Sequence, residues 1–186
     1  MVDQMLDLVP EELGSGPGFV DKTFLEPAAG DGNFLLAILH RKLSAIEEQY
    51  PAGQWIRESL FALASIYGIE LLEDNHQIAK EKMLAEFLQF HRRHGVRCYH
   101  RTHVYRAAAF LIDTNIVRGD TLTGLDPSGA PIQFSWWTRV EGDVSLVQRD
   151  LFTFNSLRGG AFDFTEYERY SPCRIEHVHR EGKARG

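Results

Sequence analysis

The sequence predicts an α/β fold: a parallel sheet with flanking helices, followed by a C-terminal β-hairpin. Short β-patterned runs alternate with amphipathic helical stretches over about the first 120 residues, which indicates parallel strands joined by crossover helices. Two longer β-patterned runs around the turn Glu141-Gly142-Asp143 then predict a hairpin. The length of 186 residues and the hydrophobic fraction of 44% favour one globular domain.

The first predicted strand, 22–26 (KTFLE), leads into a glycine-rich turn. A helix is predicted from Phe34, because its apolar residues recur with the helical period as far as Ile46. Pro51 ends this helix, since proline lacks a backbone N–H and is excluded from helix interiors. A second helix is predicted over 54–64.

The second predicted strand, 66–70 (IYGIE), is apolar and ends in an acid. A long helix over 73–90 follows, with Asp74 or Asn75 as its expected N-cap. The next two predicted elements are a helix over 102–112 and a strand over 115–118.

The alternation of predicted strands and helices ends after the third strand. A turn-rich loop, 124–131, precedes the two hairpin strands, which are predicted at 131–140 and 144–152. We expect residues 180–186 to be frayed. The expected organisation is an α/β domain over 1–122, a hairpin extension of the same domain over 123–165, and a polar tail over 166–186.

Charge is distributed unevenly along the chain. The formal net charge is −6, but 91–106 carries five arginines and no acid, which leaves −11 on the remainder. An acidic protein does not coat nucleic acid, although a local basic patch is compatible with contact to it. The candidate DNA-binding residues are therefore Arg92, Arg93, Arg97 and Arg101. The alternative interpretation is a solvated surface.

The sequence also indicates a cytoplasmic protein without a membrane span. Its longest apolar runs fall far short of the roughly 20 residues that a transmembrane helix needs. The acidic N-terminus is unlike a secretory signal, and two cysteines, Cys98 and Cys173, are too few for a disulfide framework.

Three predicted strands end in a carboxylate: Glu26, Glu70 and Asp120. Because ligands of open α/β sheets bind at the carboxyl ends of the strands, we expect the three acids to line one site. Carboxylates accept hydrogen bonds from ribose hydroxyls and amines, and the turn at Gly30 and Gly32 permits close approach of a ligand to the backbone. The pattern favours an adenosine-containing ligand.

The segment 24–35 (FLEPAAGDGNFL) resembles the cofactor-binding motif of class I S-adenosylmethionine-dependent DNA methyltransferases. It is most similar to the adenine-N6 branch, whose motif is acid-Pro-x-x-Gly-x-Gly-x-Phe. Strand 66–70 resembles the next strand of that family, whose acid holds the ribose, and 115–120 resembles the third, whose Asp meets the adenine amine. The resemblance covers about 20–122. It implies a Rossmann-like methyltransferase fold, S-adenosyl-L-methionine as cofactor and methylation of DNA adenine.

The resemblance also implies which residues contact the cofactor. Asn33 and Phe34 would face its methionine part, and Thr121 would border the adenine. Leu71 and Leu122 would lie against the adenine or belong to the core. The segment 5–10 would help to cover the methionine end. The implied set is Glu26, Pro27, Ala28, Gly30, Gly32, Asn33, Phe34, Glu70, Leu71, Asp120, Thr121 and Leu122.

The chain departs from the family in its catalytic motif. Adenine methyltransferases carry Asp/Asn/Ser-Pro-Pro-aromatic, which grips the flipped base, and this sequence has no Pro-Pro pair. The most suggestive substitutes are Ser135, Trp136 and Trp137, with core packing or an interface as the alternative role. Only 66 residues follow Asp120, so we expect the family fold to be incomplete.

Three functional hypotheses remain. The first is a DNA adenine-N6 methyltransferase or a subunit of a split one. The alternative is a non-catalytic protein that binds or sequesters S-adenosylmethionine or acts as a structural partner. A third is an enzyme that degrades the cofactor or methylates something other than DNA. We expect a homodimer or a second subunit to complete the sheet through the hairpin.

Metal binding is not expected. Histidine and cysteine cluster around the basic segment, but their spacing matches no standard zinc motif, and the arginines would repel a cation. The residues concerned are His91, His94, Cys98, His100 and His103.

Overall fold

The computed structural model of the chain describes residues 18–154 and 164–180. The segment 5–10 and residues 181–186 lie outside them. Strands and helices alternate as far as residue 118, and strands dominate afterwards. The elements are β1 (Phe24–Glu26), α1 (Asn33–Gln49), α2 (Trp55–Ala64), β2 (Ile66–Glu70), α3 (Glu73–Arg93), α4 (His103–Asn115), β3 (Ile116–Arg118), β4 (Ile132–Val140), β5 (Asp143–Phe154), β6 (Phe164–Arg169) and β7 (Cys173–Arg174), with 3-10 helices at Ala52–Gln54 and Ile175–Arg180.

The first three strands form a parallel sheet in the order β1-β2-β3. Phe24 pairs with Ile66, and Gly68 pairs with Ile116, so the three strands end side by side. We call the side at which they end the carboxyl edge and the opposite side the amino edge. The predicted parallel sheet with flanking helices is confirmed.

The four helices pack on one face of this sheet around the larger apolar core. Side chains of all four helices join Ile66 in that core. Tyr67 and Ile69 of β2 contribute instead to a smaller cluster with the start of β4. Since successive residues of a strand point to opposite faces, β2 is buried between two layers.

The predicted hairpin, β4 and β5, is also confirmed, but it does not lie where a fourth parallel strand would. It forms a separate antiparallel sheet with β6 and β7 and covers a face of the parallel sheet. Strand β4 starts at the carboxyl edge, where a Cβ at Gly119 would meet the side chain of Ile132. It runs toward the amino edge, where Trp137 bonds to Asn115.

The described part of the predicted polar tail, 166–180, contains regular structure. Strand β6 pairs with β5, and the following 3-10 helix buries Ile175 and Val178 against the helices. Their spacing of three residues places both side chains on one side of the 3-10 helix.

Two helix boundaries also differ from the sequence prediction. Asn115 is the last residue of α4 rather than the first of a strand, and neither Asp74 nor Asn75 caps α3. Leu72 is the N-cap residue, and its own backbone N–H is bound by Glu70 from the preceding strand. Among residues 18–154 and 164–180, no helix is long and apolar enough to cross a membrane.

Candidate functional site at the carboxyl edge

The carboxylate of Glu70 is the centre of the candidate site. Glu70 is the last residue of β2 and is buried. Its Oε2 atom accepts a hydrogen bond of 2.7 Å from the backbone N–H of Gly30, and its Oε1 atom accepts one of 2.9 Å from the backbone N–H of Leu72. A carboxylate offers about four lone-pair positions, so about two acceptor positions remain for a ligand that brings hydroxyl or amine donors.

The glycine turn after β1 is held against the end of β2. The backbone N–H of Ala29 bonds to the carbonyl of Ile69, which fixes the turn beside Glu70. Gly30 has a φ of 55°, and a Cβ added there would meet nothing within 4 Å, so its outer side is open to a ligand. Gly32, with a φ of 84°, lies so close to α3 that a Cβ would stand 2.8 Å from Ala79.

The turns after β1 and β3 also meet. The hydroxyl of Thr121 donates to the carbonyl of Pro27, 94 residues away in sequence. The Oδ1 atom of Asp120 accepts from the backbone N–H of Leu122, while Glu26 holds its own turn through a bond from a backbone N–H two residues on. The structure therefore brings the three strand ends together, as the sequence predicted.

The sequence allowed either a core role or a ligand-binding role for Leu71 and Leu122, and the structure shows both side chains exposed. Leu71 is 58% exposed and Leu122 is 73% exposed, and they follow Glu70 and Asp120. Neither belongs to an apolar core of the described residues. Both side chains are therefore accessible to a ligand at the carboxyl edge.

Sequence reasoning missed Lys82. Its ammonium, from α3, lies 2.7 Å from Oδ2 of Asp31 in the glycine turn and 3.1 Å from Oδ1 of Asn33. The hydrogen bond from Lys82 lowers the pKa of Asp31 below its usual value. Phe34, by contrast, packs against the larger core and presents no polar group. Because Lys82 is 51 residues from Asp31, only the packing of α3 on the turn reveals the pair.

A cleft of about 730 Å³ adjoins the site on the side of β3. It lies next to Leu71, whose carbonyl accepts a hydrogen bond of 3.4 Å from Arg118. Arg118 also bridges the cleft to Glu73 at 3.0 Å. The described residues that line it are Glu73, Asp74, His76, Gln77 and Arg118.

Ser135 and Trp137 are engaged in packing contacts away from the carboxyl edge. Ser135 is buried, and its hydroxyl accepts a bond of 2.9 Å from Arg149. The indole N–H of Trp137 donates to Asn115, which immediately precedes β3 at the amino edge. This placement argues against either residue gripping a base beside Glu70, because both lie toward the other end of the sheet.

Trp136 is 43% exposed and also lies at the amino edge. Its ring lies nearly parallel to that of Tyr67, with ring centroids 6.3 Å apart. It lines a pocket of about 270 Å³ together with Thr23 and Ser65, which precede β1 and β2. An aromatic surface is present, but the length of the sheet separates it from the strand-end acids.

The basic segment lies far from the carboxyl edge. Arg92, Arg93, Arg97 and Arg101 are all exposed, and no ion pair found among the described residues involves them. Helix α3 starts next to Glu70 and is 21 residues long, so its basic end is about 30 Å away. The structure thus separates the candidate DNA contacts from the candidate cofactor contacts.

The candidate metal ligands do not converge. His91 is buried and bonded to Ser59, His100 is exposed, and His103 faces the C-terminal 3-10 helix. In the described ranges, no group of three His, Cys, Asp or Glu side chains could hold a metal ion. Cys98 and Cys173, both among the described residues, form no disulfide.

Comparison with known proteins adds no relative: no protein-family model, curated protein or solved structure matches the sequence.

Proposed function

We propose that the chain binds S-adenosyl-L-methionine at the carboxyl edge, and that the parallel sheet is the cofactor-binding half of a Rossmann-like DNA adenine-N6 methyltransferase or of one subunit of a split enzyme. The observation that carries the proposal is the buried Glu70, bonded to the turn of Gly30 and left with free acceptor positions. The bound cofactor would supply an electrophilic methyl group.

The hydrogen-bond acceptors of the site fit this ligand. Glu70 would accept the ribose hydroxyls, and Asp120 would accept the exocyclic amine of the adenine. Leu71 and Leu122 offer exposed apolar surface next to these two carboxylates. The open outer side of Gly30 leaves room for the chain of the ligand along the backbone.

A specific observation favours the alternative function, a protein that binds or sequesters the cofactor without catalysis. Ser135 and Trp137, the candidates for gripping a base, are both occupied by packing contacts at the amino edge. A catalytic role would therefore need groups other than these two, and we propose that a second chain supplies them. Within the described residues, the outer edges of β1 and β3 pair with no strand, and such a chain would complete the sheet at one of them.

Calorimetric titration tests the binding proposal. We expect S-adenosylmethionine and its demethylated product to bind with dissociation constants on the order of 1–100 μM. Glu70→Gln weakens an ionic acceptor of the ribose, so the affinity should fall by about 10- to 100-fold, as expected for hydrogen bonds worth about 1.5–3 kcal/mol. Absence of both heat and thermal shift with excess ligand would refute the proposal.

Glu73→Gln is the matched control. Glu73 is a carboxylate three residues away, but its side chain is exposed and pairs with Arg118. It should leave the affinity within about twofold, since exposed ion pairs contribute little. Incubation with labelled cofactor and unmodified DNA then separates the two functions: methyl transfer supports the enzyme, and binding without transfer supports the sequestering protein.

A further inference from the structure

A cationic surface forms where the loop between α3 and α4 meets the C-terminal 3-10 helix. Nη2 of Arg180 lies 3.4 Å from Nε2 of His103, and Nδ1 of His103 lies 3.4 Å from Nε2 of His179. The ring centroid of His177 is 4.6 Å from that of His103. More than 70 residues separate these two segments in sequence, so only the fold brings their basic side chains together.

The loop displays arginines around an exposed aromatic ring. Arg97, Arg101 and Arg106 are exposed, and Tyr99 between them is 51% exposed. The loop is held in this form because Thr102 bonds to Tyr99 and caps α4. The side chain of Arg106 further pins the loop through a bond of 3.2 Å to the carbonyl of residue 100. We call Arg97, Tyr99, Arg101, Arg106 and Arg180, with the three imidazoles beside them, the basic surface.

His103 and His179 add charge that depends on pH. Burial lowers the pKa of both His103 and His179, and the guanidinium of Arg180 lowers them further. His177 and Arg106 act in the same direction, whereas Glu176 raises the pKa of His103. A phosphate placed among these groups would favour their protonated forms, because an opposite charge stabilises the charged state.

We infer that the basic surface binds single-stranded nucleic acid, with arginines on the phosphates and Tyr99 stacked on a base, and that binding tightens as the pH falls. Cationic side chains interleaved with an exposed aromatic ring are the features by which proteins hold single strands. A purely acidic protein partner would pair with the arginines but would make no stacking contact with the exposed ring of Tyr99. This inference is independent of cofactor binding at the carboxyl edge.

Fluorescence anisotropy with a labelled oligothymidine of about 15 nucleotides tests the surface. Arg97→Glu with Arg101→Glu should weaken binding at least about tenfold, and Tyr99→Ala should weaken the single strand more than a duplex of the same length. With about four phosphates neutralised, the log–log salt slope for the wild type should be about −3. Arg118→Gln, an arginine at the carboxyl edge, is the control and should change nothing.

The pH dependence has its own test. Affinity should rise at least severalfold between about pH 8 and pH 6, and replacing His103, His177 and His179 by Gln should remove this rise while leaving the affinity at pH 8 nearly unchanged. Should that variant unfold, NMR titration of the wild-type histidines replaces it, and the oligonucleotide should raise the pKa values of His103 and His179.

Several outcomes would overturn the inference. These are no binding at low salt, a flat salt dependence, equal binding of polyglutamate with no loss in Tyr99→Ala, or histidine pKa values that the oligonucleotide leaves unchanged. Equal binding of polyglutamate would indicate an acidic protein partner instead.

Discussion

The side chain of Asn115, at the end of α4, binds both α2 and β4. It is fully buried, and its Nδ2 atom donates to the carbonyls of Leu63 and Ala64 at the end of α2 at 3.2 and 3.1 Å. Its Oδ1 atom accepts the indole N–H of Trp137 at 2.8 Å. The sequence predicted a strand residue here, because nothing local distinguishes the end of α4 from the start of β3.

Replacing Asn115 with Ala should cost about 3 kcal/mol or more of unfolding free energy. The change leaves two carbonyls and one indole N–H buried without this partner, each at a cost of about 1–3 kcal/mol. Urea denaturation measures the loss. Trp137→Phe is the control: it removes the indole bond and part of the ring but keeps the bonds from Asn115 to α2, and it should cost distinctly less. Equal losses for the two variants would mean that the bonds to α2 contribute nothing.

Lys42 should make stability depend on pH. It is fully buried, donates to the carbonyls of Val20 and Lys22 and to Ser65, and burial lowers its pKa to about 7. Above that pH the unfolded chain binds more protons than the folded chain, up to the ordinary pKa near 10.5. Stability should therefore rise with pH across this window, by up to about 1.4 kcal/mol per unit.

Lys42→Met isolates this effect, because the variant has nothing to titrate at that position. Denaturation of both proteins at about pH 7 and pH 9.5 gives the comparison. The wild type should gain stability relative to the variant as the pH rises. A constant difference between the two proteins would show that Lys42 stays charged in the folded state.

At the scale of elements, the sequence could predict the helices and strands whose own apolar residues recur at regular intervals. Strand 66–70 and the helices follow from such patterns, and the structure confirms them. β6 and the C-terminal 3-10 helix could not be predicted, because polar residues form most of them and their order depends on a partner already in place. β6 needs β5 beside it, and Ile175 and Val178 need the helices.

Arg139 clamps β4 to α2. Its Nη2 atom lies 2.6 Å from the buried carboxylate of Glu58, its Nε atom binds Asp21, and its guanidinium lies 3.6 Å over the ring of Phe61. Arg139→Ala should cost about 2–4 kcal/mol, since it removes one of two cationic partners of a buried acid.

Arg118→Ala is the control for this clamp, because it breaks an ion pair with an exposed carboxylate and should cost less than about 1 kcal/mol. Thermal unfolding of both variants provides the measurement. A small loss for Arg139→Ala would mean that the antiparallel sheet is held by its apolar contacts alone.

On the scale of the whole molecule, the C-terminal segment should act as part of the core. Deleting residues 171–186 removes two fully buried side chains, Ile175 and Val178. Each is worth about 1.5–3 kcal/mol of burial, so the shortened chain should lose at least about 3 kcal/mol. A chain that ends at Arg180 is the reference. Equal urea midpoints for the two shortened chains would contradict this prediction.

The candidate site could be predicted in part for a physical reason. Parallel strands end at one edge, so Glu26, Glu70 and Asp120 could be grouped from their positions alone. The role of Lys82 and the exposure of Leu71 depend on how helices pack on the turn, which no local pattern specifies. The separation of the basic segment from the acids also became apparent only from the direction of α3.

That separation places opposite charges at the two ends of α3. Glu73 and Asp74 lie in its first turn, and Arg92 and Arg93 lie in its last turn about 30 Å away. A polyanion would therefore orient the protein before contact, with the basic end foremost. The carboxyl edge would then point to solvent, so a small ligand could exchange there while the protein stays attached to the strand.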